Sequence, residues 1–492
     1  MDVVYGMATW TLVAGAANNA TTPLPRITEP TDSSQVAQHT ECISGMTIGV
    51  ILPSLPTMLK KVVWNTRAWT YQESTLSKRL LVVTKPQIFF TCRHGYTYCE
   101  DNWLEIRPPS LVARTGQVFR SGTERANNFN IYADAVAEYT RRQMTFHQDG
   151  LNAIWGVLNR FGTWFRSDFL SGLPLTELDQ ALLWYPSGNI TRRKDQSGRY
   201  LFPSWSWVGW VGPCRYLSEL ALSCIQWRTT DVIPSLSTFC TSDDLRRPAN
   251  DQEWLAFERD WTDLEQTKSN LRTHTTIRDS CWYERQAPQT LYLHPVAVQS
   301  ARVAHPASSW KDGCLEFQAL SCFFRITGDH AEHAHLSACC SNNYHELCAL
   351  SIYGVSGYIC GTVHVPASSA NSLSHGEHEF IRLSRTRYGS DCTPYFDLKW
   401  NLNDTSFLSE RQPEEPKSLD NDDKHRAKNR GRSDGCTFDI DLFDMNEPWC
   451  VYNVMLIQTT EGISRRVGLG KIHVAAFTEK EGGARWRDFV LA

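Results

Sequence analysis

The chain has no surplus of one charge: 49 Lys and Arg face 53 Asp and Glu, a net charge of −4 over 492 residues. It therefore offers no basic footprint for a nucleic-acid backbone, and no nucleic-acid partner is expected. Long uninterrupted apolar runs are absent too. The most apolar early segment, ISGMTIGVILPSLPTML (43–59), is short for a bilayer span and is broken by Pro53 and Pro56, so no membrane span is expected. MDVVYGMATW lacks the basic start and apolar core of a secretory leader. The 16 cysteines then read as mostly reduced thiols of a cytoplasmic protein rather than a disulfide framework. In that compartment the sequons at Asn19, Asn189 and Asn403 carry little meaning. There is no internal repeat, and residues 409–435 hold almost no apolar side chains, so they are expected to be a disordered insertion.

What is present points to a folded chain larger than one comfortable core: 41% hydrophobic and 21% charged residues, with 18 tryptophans. The tryptophans gather in short motifs such as PSWSWVGW (203–210), where alternation predicts a strand with Trp205, Trp207 and Gly209 on one side, packed in a core. DVVYGMA (2–8) reads as a short helix and TWTLVA (9–14) as a strand. PTMLKKVVWNTRAWTYQESTLS (56–77) has helical spacing with a break and fresh cap at Asn65 and Thr66. KRLLVVT and QIFFTC follow as a hairpin or two sequential strands. Two amphipathic helices are expected within 128–160, parted at Asp149 and Gly150, and a third over LTELDQALLWY (175–185). From residue 200 onward strands dominate the pattern.

At RAWTYQE (67–73) a more specific pattern emerges. MDVVYGMATWTLVAGA, WNTRAWTYQESTLSKRLLVVTKPQIFFTCRHG, YADAVAEYTRRQMTFHQDGLNAIWGVL and LFPSWSWVGWVG, in this order, resemble the back half of a fungal heterokaryon-incompatibility (HET) domain and the region that follows it. The resemblance covers residues 1–212. It implies a role in self/non-self recognition and regulated cell death, through a protein partner or self-association. Through the remote kinship of that family with TIR domains it also implies a flavodoxin-like parallel sheet, and some TIR domains cleave NAD. In those enzymes a helix carries a tryptophan and, four residues later, the catalytic glutamate. Trp69 and Glu73 match that spacing, with Arg67 where the pattern has a small polar residue. The SYxWG-like and CIDQ-like front of the HET domain has no counterpart here, so the chain reads as truncated at its N-terminus.

The expected fold class is therefore α/β, a partial TIR/flavodoxin-like remnant, followed by a helical segment and a β-rich C-terminal region. The expected divisions are 1–103, 104–200, 201–408, the insertion 409–435, and 436–492. One helical turn apart, Trp69 as pocket wall and Glu73 as acid could serve an oxocarbenium-like centre. The competing reading makes Glu73 an ordinary helix carboxylate and Trp69 a core filler. It is preferred, because NAD cleavage needs a cavity lined from several strand ends. An inert remnant is a further alternative. No cofactor is expected, NAD being at most a substrate, and no metal. His330, His333, His335, Cys339, Cys340, His345 and Cys348 form the densest set of soft-metal ligands but lack paired spacing. His375 and His378 lack the spacing of a metalloprotease pair, and GLGK (468–471) lacks the upstream glycine of a phosphate-binding loop and reads as a turn into a strand.

Overall fold

The computed structural model describes residues 2–25, 38–92, 97–99, 125–165, 167–216, 221–227, 245–246, 276–277, 280–286, 289–293, 313–327, 347–355, 357–373, 376–386, 439, 442–443, 450–478 and 484–492. The chain divides into two compact units, one of Met1–Ser218, His305–Leu315 and Leu491–Ala492, the other of Glu219–Ala304 and Glu316–Val490. The insertion expected at 409–435 lies outside the described residues.

In the first unit, helix α1 (Asp2–Met7) leads into strand β1 (Thr11–Ala14). An exposed hairpin follows, β2 (Thr40–Ile43) and β3 (Met46–Gly49), turned through Ser44 and Gly45 at φ 53° and 82°. Two successive left-handed residues match the twist of the paired strands, and Gly45 supplies the second at no steric cost. Three short helices come next: α2 (Leu55–Leu59), α3 (Val63–Thr66) and α4 (Thr70–Leu76). Strands β4 (Arg79–Val83) and β5 (Ile88–Cys92) form the expected hairpin, and β6 (Thr97–Cys99) pairs with β5. β1 runs parallel to β4 and is the outer strand of the order β1-β4-β5-β6. One face of this sheet meets the helices through Val13, Leu80, Val82 and Phe89 packed with Leu55, Leu59, Val62 and Trp64.

The break before α4 is longer than the sequence suggests. Rather than a cap at Asn65 or Thr66, α4 starts at Thr70 behind Trp69, which caps it without a side-chain hydrogen bond. The intervening turn is held by Thr70, whose hydroxyl donates to the Trp64 carbonyl at 2.5 Å and the Arg67 carbonyl at 2.7 Å.

Helices α5 (Arg125–Thr140) and α6 (Asn152–Phe165) are joined through a 3-10 turn at His147–Gly150. α5 buries Phe129, Tyr132, Val136 and Tyr139, which recur at the helical period, and α6 buries Ile154, Val157, Leu158 and Phe161. Tyr132 lies at the centre of an aromatic group with Phe129, Phe161, Phe165, Phe169 and Tyr216. The third expected helix shrinks to one turn, Leu178–Ala181, because Trp184–Pro186 is taken into pairing with Cys214–Tyr216. PSWSWVGW is not one strand either; of its residues, Trp210 alone lies in a strand, Trp210–Val211, paired with Thr191–Arg192. Ser206 accepts a hydrogen bond from the Val208 amide and opens a 3-10 turn at Trp207–Gly209. Its tryptophans are nevertheless core residues, Trp205 at 0%, Trp207 at 1% and Trp210 at 5% exposure.

The helical segment shares its compact unit with the sheet and with the tryptophan turn. Gln72 of α4 gives the reason: its carboxamide bridges two backbone groups of α6, as described below.

In the second unit, strands β7 (Ala221–Ser223), β8 (Gln226–Trp227), β9 (Leu315–Thr327), β10 (Leu347–Tyr353), β11 (Ile359–Pro366), β12 (Glu377–Thr386), β13 (Val451–Thr460), β14 (Ile463–His473) and β15 (Arg485–Leu491) form one nine-stranded sheet. The neighbours run β12-β13-β14-β11-β10-β9, and β9 pairs back onto β12, so the sheet closes on itself. Closure leaves no open edge along that ring and buries an apolar filling that includes Phe324, Ile352, Val363, Phe380, Val454 and Phe477. GLGK (468–471) lies inside β14 instead of at a turn, and the sequence after His473 becomes a short helix, Val474–Thr478.

Candidate functional site

Helix α4 is almost wholly buried, with Thr70, Tyr71, Gln72, Ser74, Thr75 and Leu76 inside and Glu73 half-buried between them. The indole that meets Glu73 is that of Trp64: its Nε1–H donates to Glu73 Oε2 at 3.0 Å. The Tyr5 hydroxyl of α1 hydrogen-bonds to the same carboxylate. Burial first, and the Glu73 charge second, push the Tyr5 phenol up to about 12. Trp69, also half-buried, stands at the start of the helix. Glu73 is thus a charged acceptor for two aromatic donors, one from α3 and one from α1. At the end of the helix Ser77 Oγ donates to the Glu73 carbonyl at 2.6 Å and lies 2.7 Å from Thr11 Oγ1 of β1. The residue therefore sits at a junction of α1, α3, α4 and β1.

Beside it, Gln72 reaches into α6. Its Nε2 donates to the Asn152 carbonyl at 3.0 Å, and its Oε1 accepts from the Gly156 amide at 2.7 Å. Those two backbone groups are one helical hydrogen bond apart, so the side chain lies across the ladder of α6. A Cβ at Gly156 would run into Gln72 Oε1 and Asp2.

Two buried arginines hold the elements around the tryptophan turn. Arg142 donates to Thr70 Oγ1 at 3.1 Å, to Asn65 Oδ1 at 3.0 Å and to Glu138 at 3.1 Å, and its guanidinium lies over Tyr71 at 5.1 Å. Arg193 donates to the carbonyls of Val208 and Trp210, each at 3.0 Å, and to the Met144 sulfur at 2.8 Å. Its neighbour Arg192 donates to the carbonyls of Phe202, Pro203 and Gly209. The buried indoles find acceptors too: Trp184 donates to Trp205 O, Trp207 to Tyr132 Oη and Trp210 to Ser204 O. Neither arginine stood out in the sequence; adjacent arginines preceding a tryptophan-rich, glycine-containing turn were the available signal.

A cavity of about 370 Å³ opens between the end of α5 and this turn, lined by residues 139–144, His147, Arg193, Trp207 and 211–213. Glu73 and Trp69 do not line it. Among the described residues no group of three or more His, Cys, Asp or Glu gathers as a metal site. The side chains of the histidine- and cysteine-rich segment 330–348 lie outside the described residues, as does His375, while His378 hydrogen-bonds to the Leu373 carbonyl at 2.9 Å. Cys214, Cys224, Cys322, Cys360 and Cys450 are buried and belong to no disulfide. Among the described residues no helix is long and apolar enough to cross a membrane. Comparison with protein-family models, with curated proteins and with solved structures gives no match for this chain.

Proposed function

We propose that this chain is a recognition protein of the heterokaryon-incompatibility type, acting in self/non-self recognition and regulated cell death through protein contacts, self-association first among them. The four ordered sequence blocks that resemble that family support the reading. The observation that carries the contact mode is the apolar strip along α1 and β1: Val3, Val4, Met7, Trp10 and Leu12 are all exposed, Met7 to 73%. β1 is the outer strand of its sheet, paired among the described residues with β4 on one side alone. An open strand edge beside exposed apolar side chains is suited to strand addition by another polypeptide. On this reading the protein works in the cytoplasm, where its thiols stay reduced, and Glu73 supports architecture. The alternative, NAD cleavage by Glu73, has the half-buried carboxylate in its favour.

Sedimentation velocity of the purified chain across a micromolar range tests the contact. Concentration-dependent association is expected, at least tenfold weaker in the double variant Met7→Lys, Trp10→Lys with unchanged circular dichroism. A monomer at every concentration removes self-association from the proposal. Incubation with NAD should release no nicotinamide; release that disappears in Glu73→Gln would move the function to the enzymatic alternative.

A further inference from the structure

The cavity beside the tryptophan turn combines two features that point to a ligand of one charge. Arg193 is 5% exposed, yet its partners are two carbonyl oxygens and a thioether, all neutral. A guanidinium cannot shed its proton in ordinary conditions, so a buried one without a carboxylate is a cation still lacking its counter-charge. Burial, the largest cause, pulls the Arg193 guanidinium below its usual range, and the groups acting against it are Tyr139 and Cys214 rather than a carboxylate. These contacts also leave an N–H on each terminal nitrogen without one of those partners.

The second feature is the rest of the lining. Among the described residues it contains no Asp or Glu, while Arg141 and His147 are exposed at it. Arg142, by contrast, is already paired with Glu138. Among the described residues, the guanidinium charges of Arg193 and Arg141 thus face one space whose lining holds no carboxylate, matching the charge of about −1.5 to −2 that a phosphate monoester carries at neutral pH. Arginine forks suit the oxygens of such a group. The volume falls within the range of small-molecule sites, and Trp207, Met144, Val211 and Pro213 give it an apolar wall for an organic body.

We propose that this cavity binds a small organic phosphate, with Arg193 as the interior counter-charge and Arg141 at the mouth. The site is separate from Glu73 and from the α1–β1 edge, and the proposal stands whether or not the chain self-associates.

Calorimetric titration of the full chain with adenosine 5′-monophosphate, ribose 5-phosphate, inorganic phosphate and adenosine tests it. Both organic phosphates should bind, more tightly than inorganic phosphate, and adenosine should not. Arg141→Glu, a change at an exposed position, should weaken binding at least tenfold. Lys85→Glu, exposed and outside the lining, should leave it unchanged. Arg193→Lys, checked for folding by circular dichroism, should weaken it as well. Adenosine binding as tightly as its monophosphate, indifference to Arg141→Glu, or absence of heat with every phosphate at millimolar concentration would each overturn the assignment.

Discussion

At the scale of single residues, the half-buried carboxylate of Glu73 is held by an indole N–H and a phenol, and that arrangement decides what its loss does. Glu73→Ala leaves the Trp64 and Tyr5 donors without their charged acceptor and should cost about 1–3 kcal/mol in urea unfolding. Glu73→Gln keeps one acceptor oxygen and should cost less. Equal losses for the two variants would mean that the hydrogen bonds contribute little. The position of Glu73 within a helix was legible from the spacing of RAWTYQES. Its partner was not, because Trp64 belongs to a separate short helix, α3, outside the periodicity of α4. Arg142 and Arg193 were hidden for a related reason: a basic residue in a polar run reads as solvated until the structure places backbone carbonyls around it.

Among elements, the contact of α4 with α6 depends on the missing side chain at Gly156. Replacing a helical glycine by alanine ordinarily gains about 1 kcal/mol. Here the added methyl meets Gln72 Oε1 and Asp2, so Gly156→Ala should instead lower stability by about 1–3 kcal/mol. Thermal unfolding of Gly156→Ala alone, and combined with Gln72→Ala, checks this: the combination should recover part of the loss, and a single variant more stable than the parent would refute the close fit. The two long helices of the first unit were readable because Ile131, Ala135, Val136 and Tyr139 in one, and Leu151, Ile154, Trp155 and Leu158 in the other, recur near helical spacing, although Trp155 proves exposed. PSWSWVGW misled because tryptophans two apart imitate strand alternation. What bends the chain there is the Ser206 cap with the Arg192 and Arg193 contacts, the latter distant in pattern from the tryptophans themselves.

On the scale of the whole molecule, the closed sheet of the second unit carries a pH-sensitive group. Burial first, and the Lys471 ammonium second, hold the His364 imidazole down at about 4. Between its ordinary value of 6.5 and about 4, the unfolded chain takes up a proton that the folded chain refuses, so stability falls as pH falls through that window. Unfolding curves of the full chain from pH 7 to pH 4 should show this decline, and His364→Gln should flatten it; an unchanged slope in the variant would assign the acid sensitivity elsewhere. Leu347–Tyr353, Ile359–Pro366 and Val451–Thr460 were visible as strand-like runs, whereas Leu315–Thr327, Glu377–Thr386 and Arg485–Leu491 were not. The closure of the sheet was not visible either, since the pairing of residues 321–325 with 377–381 joins segments whose sequences say nothing of each other.

The last strand, Arg485–Leu491, pairs with both Leu315–Thr327 and Ile463–His473. The Ala492 carbonyl accepts hydrogen bonds from the Ser204 amide and hydroxyl. Residues 485–492 thus contribute hydrogen bonds to both units at once, so a single cut ahead of them takes bonding away from each. A chain shortened to residue 484 should therefore be far more open to proteases than the full chain.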